Sequence, residues 1–201
     1  MSEPRAIRNV CVFCGSRTGT EPAFIEDAAL LGTAIAHRHQ TVVYGGARVG
    51  LMGALADAAL RAGGKVIGVI PKGLVTKEIA HEGLAEMHLT QTMHERKDRM
   101  IELADAFVAL PGGFGTYDEF FEVLTLAQIG FHDKPIALYN ARGFFDPLLA
   151  LMKHTIALDF AAPEHLGLVV VEDEPQRLLD AMSSFVPPPL GQKALDRRGV
   201  P

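Results

Sequence analysis

Short apolar runs rich in β-branched residues alternate along this chain with longer segments whose apolar positions return every three to four residues. The first pattern is that of strands buried on both faces, the second that of helices covering them. Strands are predicted at 10–14, 41–44, 65–70, 85–90, 105–110, 135–139 and 167–171. Helices are predicted at 22–37, 51–62, 93–104, 146–158 and 175–185, with another opening at the glycine turn after residue 110. Regular alternation of this kind builds a doubly wound α/β fold, with about seven mostly parallel strands flanked by helices. From Pro187 to Pro201 the chain is proline-rich, then charged, and has no periodic apolar face. Residues 1–186 are therefore expected to form one domain and 187–201 a disordered tail.

The run from Leu110 to Glu119, Leu-Pro-Gly-Gly-Phe-Gly-Thr-Tyr-Asp-Glu, reads as a buried strand breaking into a glycine turn that starts a helix. Glycines at 112, 113 and 115 let the backbone approach a ligand. The free amides and the dipole of the helix start favour an anion such as phosphate. A tight turn followed by ordinary first-turn acids would also fit, but three glycines, a proline and a threonine exceed what a turn requires. Glu119 stands out. One turn into such a helix a carboxylate repels phosphate, so it is expected to face a group that becomes positive.

Composition narrows the field. A chain of 201 residues, 48% apolar and 21% charged, buries a sizeable core without a second domain. A net charge of −5 and a pI near 5.9 argue against a nucleic-acid surface. No apolar run approaches the roughly 20 residues that span a bilayer, and the start Met1-Ser2-Glu3-Pro4-Arg5 is polar, so a cytoplasmic protein is expected. Cys11 and Cys14 form Cys-x-x-Cys. On a strand, residues three apart face opposite sides, so they are read as buried structural cysteines and not as a redox pair. The histidines show no ligand spacing and no second cysteine pair exists, so no metal site is expected.

In an open α/β sheet ligands bind beyond the carboxyl ends of the strands. Three glycine-bearing loops qualify: 15–19, 45–50 and 111–116. None is a dinucleotide fingerprint or a P-loop. Ser16 is either a second phosphate donor or a helix cap. The charged run 93–100, Met-His-Glu-Arg-Lys-Asp-Arg-Met, has the spacing of a solvated helix face, yet it leads into the key strand. From there Arg96 reaches the loop as a partner for phosphate or for a nucleobase. His94 is read as a capping or surface residue.

These segments resemble a known family. Pro111-Gly112-Gly113-Phe114-Gly115-Thr116-Tyr117-Asp118-Glu119 is similar to the Pro-Gly-Gly-x-Gly-Thr-x-x-Glu motif of the LONELY GUY family, the cytokinin riboside 5'-monophosphate phosphoribohydrolases. Met93-His94-Glu95-Arg96-Lys97 resembles the family's Met-His-x-Arg-Lys segment, at the family's interval from the glutamate. Segments 10–16 and 44–53 also match, with Ala47 where many members carry a third glycine, so the resemblance covers about residues 8–184. It implies a single-domain Rossmann-like fold and hydrolysis of the N-glycosidic bond of a cytokinin riboside 5'-monophosphate or AMP, without a cofactor. Glu119 and Arg96 are the implied catalytic pair. Gly112, Gly113, Phe114, Gly115, Thr116 and Ser16 are the implied substrate-binding residues, joined by Glu78, Lys97 and Thr125 from matching positions. A homodimer with the active site near its interface is implied as well. The alternative is a non-catalytic carrier of a phosphorylated pterin, such as the molybdenum cofactor, or of a nucleotide. A lysine decarboxylase, a label attached to such sequences, needs a pyridoxal-phosphate lysine, for which there is no credible context.

Overall fold

A computed structural model describes residues 6–75, 80–81 and 83–189. Among them the strands are β1 (Asn9–Phe13), β2 (Thr41–Tyr44), β3 (Lys65–Pro71), β4 (Glu86–Thr90), β5 (Ala106–Ala109), β6 (Ile136–Tyr139) and β7 (Val169–Glu172). They form one seven-stranded sheet in the order β4-β3-β2-β1-β5-β6-β7, and every neighbouring pair is parallel. The architecture is Rossmann-like. The helices are α1 (Ala23–His37), α2 (Gly50–Arg61), α3 (Lys72–Val75), α4 (Met93–Leu103), α5 (Phe114–Gln128), α6 (Asp146–Ala157) and α7 (Pro175–Ser183).

Two apolar layers sandwich the sheet. One joins α1, α2 and α7 to Val10, Val12 and Cys14 of the β1 segment, while the other joins α4 and α5 to Cys11 and Phe13. Strand alternation thus puts Cys11 and Cys14 on opposite faces, and both thiols are free. Burial raises both thiol pKa values well above the ordinary range, with Glu119 adding to the effect.

Strand order reverses between β1 and β5, and such a reversal opens a crevice at the carboxyl ends of the strands. Backbone hydrogen bonds lock the crevice walls together. The Leu110 amide donates to the Phe13 carbonyl at 2.8 Å, Gly15 to Pro111 at 3.0 Å, and Leu51 to Gly15 at 3.0 Å. The loops after β1 and β5 and the start of α2 therefore behave as one piece. At the other end of the strands the Asp105 carboxylate accepts from the amides of Arg8 and Asn9, both at 2.9 Å, and fixes the register of β5 against β1.

Boundaries differ from the sequence reading where proline intervenes. Pro22 caps α1 from outside, and a 3-10 turn at Pro163–Leu168 delays β7 to Val169. Of the segment expected to be disordered, residues 187–189 are described, and Pro188 lies 3.5 Å from where a Gly167 side chain would begin. Residues 190–201 fall outside the described residues. Among the described residues no helix is long and apolar enough to cross a membrane. Leu110 is fully buried as the last apolar residue before the glycine turn. Leu110→Ala is expected to lower unfolding stability by about 2–5 kcal/mol in urea titrations.

Candidate active site

The crevice holds a cleft of about 270 Å³. Its lining comes from four βα units: Cys14, Gly15 and Ser16 after β1, Gly45 after β2 with Met52 of α2, Ile70 and Leu74 around the end of β3, and Gly113 to Thr116 with Glu119 on α5. Met93 and Arg96 of α4 close it. A second cleft of similar size lies across Gly15, Ser16 and Gly113, between Arg17, Phe24 and Phe144. The larger cavity, about 470 Å³, sits near the amino end of β6 around His132, Lys134 and residues 187–189, and none of the sequence-predicted site residues lines it.

The glycine turn leaves the start of α5 open. Gly113 occupies the N-cap of α5 with extended backbone and no side chain caps the helix, so its first amides are left for a ligand. A Cβ on Gly113 or Gly115 would meet nothing within 4 Å, which marks open space above the helix start. Gly112 is the reverse case. A Cβ there would lie 2.1 Å from the Thr116 hydroxyl and 2.9 Å from the Gly15 nitrogen, so only glycine lets the two loops meet.

Glu119 lies on the same helix, one turn beyond, and is 7% exposed. Arg96 Nη1 donates to Glu119 Oε1 at 2.8 Å, and Arg96 Nε donates to the Val69 carbonyl at 3.1 Å. Burial raises the Glu119 pKa above the ordinary carboxylate range, and the Arg96 charge and hydrogen bond counter part of that rise. α4 presents Arg96 inward because Thr92 caps it: its hydroxyl accepts from the Glu95 amide at 3.1 Å, while the Glu95 carboxylate accepts from the Gln91 amide at 2.7 Å. His94 is exposed, and the cap is Thr92.

Other sequence-predicted residues take different places. Ser16 sits on the rim shared by both clefts, and α1 starts beyond Pro22, so Ser16 does not cap it. Phe114 is 92% exposed at the mouth. Lys97 turns away from the cleft and pairs with Asp118 and Glu122 of α5, each at 3.1 Å. Burial opposes its charge, but both hydrogen-bonded carboxylates outweigh that and raise its pKa. Thr125 lies outside the cleft, in an apolar groove of α5 and α6 with Phe121, Leu151 and Met152. Glu78 falls outside the described residues. Gly45 belongs to the glycine-bearing loop 45–50 that the sequence offers as a ligand loop and, like Met52, to the family-like segment 44–53, whereas Ile70 and Leu74 carry no sequence signal beyond their position near the carboxyl end of a strand.

The fold and cleft define a Rossmann-like protein with a buried carboxylate lining the same cleft as an uncapped helix start. A family model described as "Possible lysine decarboxylase" matches residues 52–182. A cytokinin riboside 5'-monophosphate phosphoribohydrolase from Rhodococcoides fascians is 48% identical over 165 residues, covering 82% of this chain and 83% of that protein. Enzymes of that name from Arabidopsis thaliana and Oryza sativa subsp. japonica are each 39% identical over 180 residues, covering 90% of this chain and 84% and 74% of theirs. This chain belongs to the LONELY GUY family of cytokinin riboside 5'-monophosphate phosphoribohydrolases. Among solved structures, the molybdenum cofactor binding protein of Rippkaea orientalis superimposes with a TM-score of 0.67 at 21% identity, over 92% of this chain and 98% of that one. The molybdenum cofactor carrier protein of Chlamydomonas reinhardtii gives 0.66 at 21% identity, over 96% and 99%. Both likenesses concern the fold.

Removing the arginine charge tests the electrostatics of the pair. Arg96→Met leaves Glu119 buried without a counter-charge and is expected to cost about 3–5 kcal/mol at neutral pH. The unpaired carboxylate binds its proton more tightly folded than unfolded, so the deficit should shrink as pH falls. Urea unfolding at pH 5.5 and pH 8 reads both effects; equal deficits at the two pH values contradict the assignment.

Proposed function

We propose that the protein hydrolyses the N-glycosidic bond of a purine nucleoside 5'-monophosphate, AMP or a cytokinin riboside 5'-monophosphate. Water adds to the anomeric carbon as the carbon–nitrogen bond breaks. The sugar carbon receives hydroxide, the departing base gains a proton, and the products are free base and ribose 5-phosphate. No cofactor enters the scheme. The observation that carries this reading is Glu119, nine-tenths buried and facing the same cleft as the α5 amides.

The phosphate sits at the start of α5, against the amides from Gly113 to Thr116, with Ser16 on the rim as a further donor. That anchor places the ribose above Glu119. As the bond lengthens, positive charge grows on the anomeric carbon and ring oxygen, and a fixed carboxylate stabilises it more than it does the neutral ground state. The raised pKa also suits Glu119 to accept a proton from the attacking water. Met52, Ile70, Leu74 and Met93 give the base an apolar wall, which suits an uncharged purine with or without a prenyl group. A carrier gains nothing from a buried carboxylate beside its ligand. A pyridoxal-phosphate enzyme needs a lysine in the cleft, and among the described residues none lines it.

A second copy is proposed to cover the α5–α6 face near the active site, where Phe121, Leu151, Leu158 and Phe160 are exposed and Thr125 lies in the groove. Work in the cytoplasm agrees with two buried cysteines left unpaired.

Incubation of the protein with AMP, followed by chromatography, should yield adenine and ribose 5-phosphate, with adenosine turned over far more slowly because it lacks the anchoring group. Glu119→Gln should retain AMP binding and lose roughly 10²- to 10⁴-fold in kcat. An undiminished rate removes Glu119 from the mechanism. Light scattering on the purified protein should give at least twice the chain mass, and a monomer at micromolar concentration refutes the proposed pairing.

A further inference from the structure

The cleft contains one contact that neither the motif nor the chemistry above accounts for. Arg96 has three guanidinium nitrogens, and two are committed to protein acceptors: Nε to the Val69 carbonyl and Nη1 to Glu119. The third, Nη2, lies against Gly45. A Cβ built on Gly45 would fall 2.4 Å from Nη2 and 2.9 Å from the Met52 sulfur, both far inside contact distance. Gly45 does not adopt a left-handed backbone, unlike Gly46, whose φ is +76°. Alanine is therefore conformationally permitted at 45, and what its methyl group would push aside is the tip of Arg96 together with the Met52 sulfur, of which the guanidinium is the one tied down by hydrogen bonds.

The side chain of Arg96 is thus held at three points supplied by separate βα units. β3 offers a carbonyl, α5 a carboxylate, and the turn after β2 a bare backbone. We infer that Gly45 is a positioning residue for the reaction: its missing side chain creates the seat in which Arg96 holds Glu119 in place beneath the ribose. Arg96 accordingly serves the carboxylate first, and it is not the principal clamp on the phosphate. This inference rests on the hydrolytic reading proposed above.

A displaced guanidinium has a defined signature. The glycine cradle at the start of α5 is untouched by a methyl group at 45, so affinity for the product ribose 5-phosphate should persist. Glu119, with less counter-charge, should bind its proton more tightly. Activity that needs the ionised carboxylate then fails at a higher pH on the acid side.

The test compares wild type with Gly45→Ala, first measuring adenine release from AMP across pH 4.5–9 and then ribose 5-phosphate affinity by calorimetry. Expected are a fall in kcat of about 10- to 100-fold, as small misplacements near reacting groups produce, an acid limb moved to higher pH, and an affinity within about threefold of wild type. A kcat within twofold of wild type overturns the inference, as does a defect confined to KM with an unmoved acid limb. Should Gly45→Ala misfold, the double variant Gly45→Ala, Met52→Ala removes the sulfur clash and keeps the guanidinium clash. Measured against Met52→Ala alone it should show the same fall and shift, and parity between the two overturns the inference. Wild type that releases no adenine rejects the hydrolytic reading instead, whatever the variants do.

Discussion

A carboxylate kept out of water beside an uncapped helix start is the constraint on which the rest of this structure depends. Glu119 is buried on the helix whose first amides attract negative charge, so it needs a compensating cation that does not also block those amides. Arg96 meets that need from another helix. Isolated burial of the acid would drive it to neutrality, whereas pairing with the guanidinium keeps ionisation within reach. Fixing the pair requires that α4, α5 and the carboxyl end of β3 keep their relative positions.

Several features outside the cleft serve that requirement. Lys97, next to Arg96 in sequence, ties α4 to α5 through Asp118 and Glu122. The Thr92 cap fixes where α4 begins and hence which face Arg96 occupies. Backbone hydrogen bonds from Leu110 to Phe13, Gly15 to Pro111 and Leu51 to Gly15 join the loops that meet before the start of α5. The parallel sheet supplies all these loops at one edge because every strand ends there. Without the reversal between β1 and β5 there would be no crevice for them to line.

Most of the architecture was legible in the chain because buried parallel strands and amphipathic helices leave distinct periods. The Pro-Gly-Gly-x-Gly-Thr turn that opens α5 and the place of Glu119 on that helix were legible for a local reason: a tight strand-to-helix turn needs particular residue types at fixed short offsets. Lys97 shows where such reasoning stops. Its charge and its place beside Arg96 suggest the ligand, but one further residue along a helix rotates it by about 100°, and it meets α5 instead. Ile70 and Leu74 were hidden for a complementary cause. Each is an ordinary apolar residue in its own segment, and only the tertiary arrangement gathers them into one wall. The start of β7 slipped by two residues because a 3-10 turn and an extended strand share the same apolar letters.

The placement of the two cysteines has a consequence for durability. Because β1 sends Cys11 and Cys14 to opposite layers, no rotation of side chains brings the sulfurs together, and burial keeps both protonated. A thiol that stays protonated is a poor nucleophile toward peroxides and disulfides. Although Cys14 borders the cleft, neither thiol is placed to cross-link or to react readily with peroxide, a protection that follows from the two-residue repeat of the β1 segment.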